Sequence, residues 1–301
     1  MTLDSSLLLK AAEAAAGAQQ YPAGALYVVA TPIGNLADIT LRAIHVLSLV
    51  DAVACEDTRH SAQLMRHLGL DKPLLAVHEH NEREAAQAVL ARLARGERVA
   101  YVSDAGTPAV SDPGAVLVAA AQAAGHRCVP LPGASSALAA LSVAGDSTAR
   151  GFLFVGFLPA KGSERSQAVQ AVATRSDAQV LFEAPHRIVN LAKALGEACG
   201  PRPVTLCREL TKQFEDVVTL PAAELSAWFD GDDHRGRGEF VLVVHAQAAA
   251  ADDTSAPSDA MLQVLLAELP LKQAVALTSR LTGRARNELY ERALELKGSA
   301  G

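Results

Sequence analysis

The sequence predicts an α/β protein, with two α/β units in series and a small helical domain at the end. Three observations carry this. From Ala25 onward, short apolar runs alternate with segments of helical spacing. The apolar runs of the first half are continuous, as expected for parallel strands covered on both faces by helices. Two polar breaks divide the chain, at 145–151 and at 246–258, the second rich in Ala, Asp, Ser and Thr with one Pro, as in a linker. The expected organisation is a flexible or weakly helical leader over 1–24, an α/β domain over 25–147, a mixed-sheet α/β domain over 148–247, a linker over 248–258 and a helical domain over 259–298.

The elements follow in order. Strands are expected at 26–30, 52–55, 74–77, 98–102 and 127–131, with helices at 38–49, 58–68, 81–94, 115–124 and 134–143 between or after them. Ile39, Leu41, Ile44 and Leu47 give the first of these helices its apolar stripe. Gly34 permits a tight turn before it, and Asp38 is a candidate cap. Asn81 and Glu84 have the spacing of a capping box. In the second half, strands are expected at 152–158, 179–184, 204–209, 217–220 and 239–245. Helices are expected at 163–174, 187–198 and 221–229, the last with Pro221 in its first turn. The short connection before 217–220 argues an antiparallel pair. Beyond the linker, 261–269, 272–281 and 284–296 read as three short helices. The stretch 271–286 carries Lys272, Arg280, Arg284 and Arg286 and no acid. It fits either a helix-turn-helix-like nucleic-acid module or a small dimerisation or capping bundle.

Bulk properties bound the function. At roughly 150 residues per domain, 301 residues make about two domains. Half the residues are hydrophobic and 20% are charged, which suits a soluble protein with a sizeable core. The net charge of −6 gives no global electrostatic case for nucleic acid, though a local basic face stays open. Cys55, Cys128, Cys199 and Cys207 form no CxxC pair and read as free thiols of a reducing compartment. Residues 1–20 lack the basic start and unbroken apolar core of a signal peptide. No apolar run approaches the ~18 residues of a membrane span. The expected location is the cytoplasm.

Several strand ends carry polar or small-residue motifs. The loop 103–114 follows an apolar run and precedes an Ala/Val-rich helix, the position where open α/β sheets bind ligands. Ser103 and Asp104 suit a ribose or an amino group, and Gly106 lets backbone approach a ligand. The first strand end, Thr31-Pro32-Ile33-Gly34-Asn35, lacks GxGxxG, which argues against ordinary dinucleotide chemistry. Glu56-Asp57-Thr58-Arg59-His60 suits a polar cleft, or a helix cap by Asp57 or Thr58 with Arg59 as ion-pair partner. His78-Glu79-His80 has i, i+2 spacing, unlike a helical zinc site, and no metal is expected. Pro132-Gly133-Ala134-Ser135-Ser136 offers small residues and fresh helix N–H groups. Glu183, His186 and Arg187 cluster after a buried strand, and 156–161 and 207–215 add further polar strand ends.

Taken together, TPIGNLADIT (31–40), CEDTR (55–59), SDAGTPAVSDPG (103–114), PGASS (132–136), GFLPAK (156–161), FEAPHR (182–187) and RELTKQFE (208–215) resemble the ribosomal RNA small subunit methyltransferase I family. That family belongs to the tetrapyrrole-methylase-like class of S-adenosylmethionine methyltransferases. The resemblance runs from about Leu26 to His245, and the tail resembles the family's small helical domain. It implies two α/β domains with S-adenosylmethionine in the cleft between them, and 2′-O-methylation of a cytidine in 16S rRNA of the assembled small subunit, at the decoding centre. It implies a cofactor site made by Thr31, Pro32, Ile33, Gly34, Asp104, Ala105, Gly106, Ala134 and Ser135 of the first domain. Phe182, Glu183, Leu210, Gly238 and Glu239 of the second would close over it. A homodimer follows by analogy of fold alone. Ala160 departs from the family, which often has a basic residue there.

Methyl transfer from a sulfonium is an in-line displacement, so positioning supplies much of the catalysis. A ribose hydroxyl also needs a base or a cation. Glu56, Asp57, Glu183 and Glu209 are the candidate acids. Lys161, Arg187 and Lys212 are candidate cations for phosphate or a developing alkoxide. Arg59, Arg165 and His186 are candidates for RNA positioning. Each of these charges suits a structural ion pair equally well. Two other readings compete: a uroporphyrinogen or precorrin methyltransferase of the same fold, and a non-enzymatic nucleic-acid-binding protein acting through the basic tail.

Overall fold

The computed structural model describes residues 5–78, 81–247 and 255–298. Residues up to Ala246 form one compact unit and Gln247–Gly301 a second. The first element corrects an expectation. Helix α1 (Ser5–Ala16) is neither loose nor a free leader, because it packs on α2 (Leu41–Leu49). Ala12 and Ala16 are buried, and Leu8 and Leu9 join the core. Small side chains let the two helices approach closely, and the Tyr21 hydroxyl donates to the Ala16 carbonyl at 3.0 Å. An Ala-rich stripe reads as weak in a sequence because its burial depends on a partner.

The first sheet holds β1 (Leu26–Val29), β2 (Ala52–Cys55), β3 (Leu74–Ala76), β4 (Val99–Val102) and β5 (Cys128–Leu131), in the order β3-β2-β4-β1-β5. Every pairing in it is parallel. Both faces are covered, which explains the continuous apolar runs. Along β4 the alternation splits the core: Ala100 and Val102 face α2 and α3 (Thr58–His67), while Val99 and Tyr101 face α4 (Glu82–Ala94) and α5 (Ala115–Ala123). Because β1 lies between β4 and β5, the loops leaving their carboxyl ends are neighbours.

Two capping expectations fail. Thr40, not Asp38, caps α2, its hydroxyl accepting from the Ala43 N–H at 3.1 Å. Asn81 makes no capping bond to α4; its Oδ1 accepts from the His78 N–H at 2.8 Å. Its backbone lies outside the extended region that a capping residue needs. The neighbouring Glu82 caps a different helix instead. Its Oε1 accepts from the Gly114 and Val116 amides at the start of α5, at 2.8 and 3.1 Å.

The second sheet holds β6 (Phe152–Phe157), β7 (Ala178–Glu183), β8 (Pro203–Arg208), β9 (Asp216–Pro221) and β10 (Phe240–Val244), ordered β6-β7-β10-β8-β9. Only β6 and β7 run parallel, so the sheet is mixed and β9 is antiparallel, as its short connection predicts. One face packs on α7 (Gly162–Thr174), α8 (Ile188–Cys199) and α9 (Leu225–Asp230). The other face, with Val180, Cys207, Val241 and Val243, receives Ala137, Ala140 and Ala144 of α6 (Ser136–Ala144). Thus α6, which follows the first sheet in sequence, packs on the second sheet and links the two along the chain.

The C-terminal unit packs α10 (Ser255–Glu268), α11 (Leu271–Thr282) and α12 (Arg286–Gly298) around Leu262, Ala274, Val275, Leu289 and Ala293. Helix α10 begins inside the stretch expected as linker, whose residues 248–254 lie outside the described ones. Gly283 ends α11 with φ of 75°, a left-handed position that favours glycine. Lys272, Arg280 and Arg286 are exposed, whereas Arg284 donates to the Ser258 hydroxyl at 2.7 Å. Among the described residues no helix is long and apolar enough to cross a membrane. All four cysteines are free, and burial pushes the Cys207 thiol up to about 12.

Candidate active site

The site begins with the loops after β1 and β4, which hold each other. The Thr31 N–H donates to the Gly106 carbonyl at 2.9 Å, and the Gly106 N–H returns the bond at 3.0 Å. The Thr31 hydroxyl donates to the Ser103 carbonyl at 3.2 Å. Gly106 has φ of 79°, so a side chain there would be strained, and the backbone lies bare beside Ile33. Thr107 ties in the loop after β5 by donating to the Ala134 carbonyl at 3.1 Å. Asp104 ties in the loop after β2 by accepting from the Asp57 N–H at 3.2 Å.

The second sheet contributes the loop after β8. The Lys212 ammonium lies 2.9 Å from Glu209 Oε1 and 3.0 Å from Glu239 Oε2. Glu209 Oε1 also accepts from the Glu239 N–H at 2.9 Å. Burial alone would raise the Glu209 pKa, but Lys212 and that amide outweigh it and hold it low. Burial alone would lower the Lys212 pKa, but its two carboxylates outweigh it and keep it a cation. Gly34 is needed for close approach, not for a turn: a Cβ there would meet Lys212 Cγ at 2.5 Å. Among the described residues, those other than glycine with left-handed backbone are Ala109 and Ser111, in the loop after β4, and Glu209 and Thr211, in the loop after β8. All lie in these two loops, where strain of order 1–3 kcal/mol per residue is typical of ligand sites.

Two adjoining cavities open between the loops and the second sheet, sharing Ile33, Ala105 and Glu239. The first, about 340 Å³, has Gly106, Asp112 and Ser135 on one wall and Phe182, Leu210 and Phe240 on the other. The second, about 420 Å³, is bounded by Thr31, Pro32, Gly34 and Asp104, by α3, and by Lys212. Burial raises the Asp112 pKa, and the Asp104 carboxylate adds to this, against the Ser103 hydroxyl.

Of the expected cofactor residues, Thr31, Pro32, Ile33, Gly34, Asp104, Ala105, Gly106, Ser135, Phe182, Glu183, Leu210 and Glu239 line one cavity or the other. Ala134 and Gly238 line neither: Ala134 offers its carbonyl to Thr107, and Gly238 backs closely on Glu209. The expected catalytic set is dispersed. Lys212 faces the second cavity, with Glu209 holding it. Glu183 borders the first cavity, but its carboxylate is fully buried between Arg165, at 2.9 Å, and Arg187. Arg187 also donates to the Leu158 carbonyl at 3.0 Å and lines neither of the two cavities. Asp57 is a half-buried cap of α3, and hydrogen bonds from Arg59 hold its pKa near 2. Glu56 lines neither cavity, and burial together with Asp104, Asp112 and Asp57 raises its pKa. Lys161 is exposed at the start of α7. Sequence reasoning missed Gln63 and His67 of α3, which line the second cavity with His60, the last residue of the motif expected at a polar cleft. Their i, i+3, i+7 spacing was the available signal. Among the described residues no group of His, Cys, Asp and Glu could hold a metal ion, and Glu79 and His80 lie outside them.

The chain matches the family of Tetrapyrrole (Corrin/Porphyrin) Methylases over residues 25–226, and the RsmI C-terminal HTH domain over residues 250–297. It is 49% identical to a Pseudomonas aeruginosa protein over 281 residues, covering 92% of this chain and 99% of that one. It is 46% identical to an Escherichia coli O157:H7 protein over 279 residues, covering 91% and 96%. Both relatives are named ribosomal RNA small subunit methyltransferase I. Among solved structures, a cobalt precorrin-4 methyltransferase of cobalamin biosynthesis superposes with a TM-score of 0.55 at 19% identity, covering 75% of this chain and 98% of that one. The methyltransferase CobJ superposes at 0.56 with 21% identity, covering 75% and 95%. Those structures speak for the fold. The relatives, similar along nearly their whole length, speak for more, and the chain belongs to the ribosomal RNA small subunit methyltransferase I family.

Proposed function

We propose that this chain transfers a methyl group from S-adenosylmethionine to the 2′-hydroxyl of a cytidine in 16S rRNA at the decoding centre, in the assembled small subunit, as a cytoplasmic homodimer. The observation that carries the reading is the meeting of three strand-end loops with Phe182, Leu210 and Glu239 around two adjoining cavities. The residues fit the cofactor. Both volumes lie in the range of roughly 300–1,000 Å³ usual for small-molecule sites. Bare backbone at Gly106 can approach a ligand, and Ile33, Phe182 and Leu210 offer apolar walls to an adenine. The carboxylates of Asp112 and Glu239 complement a positive sulfonium and ammonium.

When bound, the cofactor supplies an electrophilic methyl group on positive sulfur. The chain's own residues do the rest. Ala105, Gly106 and Ser135 hold one side of the first cavity and Phe182 and Leu210 the other. Lys212, held as a cation by Glu209, stabilises the ribose oxygen as charge develops on it. Among the acids, Glu183 is buried between two arginines, Glu209 lines neither cavity and Asp57 is a cap, whereas the Glu239 side chain, though also paired with Lys212, is largely exposed. Glu239 lines both cavities and accepts the hydroxyl proton. The match of the tail to an HTH domain favours RNA over a tetrapyrrole substrate. The test is incubation of the purified chain with tritiated cofactor and small subunits from a strain lacking this modification. Label in the 16S rRNA, at a cytidine ribose, is the expected result. Cofactor binding without such label would sink the substrate assignment.

A further inference from the structure

Helix α3 presents a polar stripe, His60, Gln63 and His67, to the second cavity, while Leu64 and Met65 of the same helix lie in the core. His60 and Gln63 are exposed and His67 is half-buried. They line a cavity of about 420 Å³ together with Thr31, Gly34 and Lys212. The charges of that cavity are two carboxylates, Asp104 and Glu239, against the Lys212 ammonium. An excess of negative charge disfavours taking a phosphate inside. Imidazole and carboxamide groups, by contrast, pair with the donor and acceptor edge of a base, and a carboxamide can do so with two bonds at once. A cavity of about 420 Å³ has room for one nucleoside, unstacked from its neighbours as sequence-specific RNA recognition requires.

We infer that the second cavity is the acceptor subsite. It takes the base and ribose of one everted ribonucleoside, with His60, Gln63 and His67 reading the base edge and the phosphates left at the rim. This rests on the reading above that the adjoining cavity holds the cofactor. The stripe determines specificity and touches the substrate, while Lys212 faces the ribose from the opposite wall.

The test uses the full chain saturated with S-adenosylhomocysteine and titrated with free cytidine, followed through the His60 and His67 imidazole resonances, each assigned by its loss in a single substitution. Cytidine is expected to shift both signals, cytidine 5′-monophosphate to shift them at no lower concentration, and Gln63→Ala to weaken the response at least tenfold without changing S-adenosylhomocysteine affinity. Gln63 is exposed, so its replacement leaves the fold intact. Unmoved imidazoles, a Gln63→Ala response equal to the parent's, or monophosphate binding tenfold tighter than cytidine would overturn the assignment, whether or not small subunits are methylated. Imidazole shifts in a chain that labels no 16S rRNA would count against the ribosomal substrate and leave the nucleoside subsite standing.

Discussion

Lys212 stands between Glu209 and Glu239, and that arrangement decides what it can do. A lysine whose pKa is raised cannot serve as a base near neutral pH, but it can stabilise negative charge that develops beside it. Lys212→Met should lower kcat on the order of 10²-fold, with S-adenosylhomocysteine affinity nearly unchanged; steady-state methylation and calorimetry read the two separately. Glu183 has the opposite character. Its fully buried carboxylate serves Arg165 and Arg187. Glu183→Ala leaves both guanidinium groups without their partner, so it should cost about 3–5 kcal/mol of stability in urea unfolding. A loss of activity with unchanged stability would instead return Glu183 to the chemistry.

At the level of elements, helix α5 depends on a neighbour for its start. Gly114 takes φ of 125° beside the Tyr101 ring and has no side chain to offer, so the free amides turn to Glu82 of α4. Glu82→Ala should cost about 1–2 kcal/mol, and Glu82→Gln, which retains an acceptor oxygen, less; urea midpoints at constant slope measure both. Helix α5 leads out of the loop 103–114, so this cap also steadies the wall that carries Gly106 and Asp112. Helix α6 plays a comparable part across the sheets, since its alanines fit the second sheet closely while Ser135, at its N-cap, faces the first cavity.

Across the whole α/β unit, the end of β10 is fastened by a buried polar cluster. Arg202 donates to the carbonyls of His245, Val172, Arg175 and Asp177, which joins α7, β7, β8 and β10. His245 shares a 2.7 Å hydrogen bond with Thr205, whose hydroxyl also donates to the last residue of α6. Burial lowers the His245 pKa, Arg202 lowers it further, and Asp146 opposes them. With its folded pKa below the ordinary value near 6.5, the unfolded chain binds the proton more readily. The stabilisation from neutral His245 is therefore complete above pH 6.5 and is lost as pH falls from there through the folded pKa. Unfolding free energy measured between pH 7.5 and 5 should decline on the acid side, and His245→Gln should flatten that slope.

Much was legible in the residues themselves. Runs such as Val99-Ala100-Tyr101-Val102 state their own burial, since only a strand covered on both faces is apolar throughout. The small and polar residues at strand ends marked the loops, and the motifs at 31–40, 103–114 and 208–215 carried the family resemblance that the relatives establish. Local chemistry sufficed there because backbone preference and hydrophobic pattern are properties of neighbours in sequence. Tertiary structure decided the partners. It gave Glu183 to two arginines, Glu82 to a helix 32 residues away, Gly34 to the flank of Lys212, and the alanines of α1 to α2. It also brought one face of α3 to a cavity. A carboxylate or a glycine has the same local signature in a cap, an ion pair or a reaction site, and what separates these roles is the group that the rest of the chain folds against it.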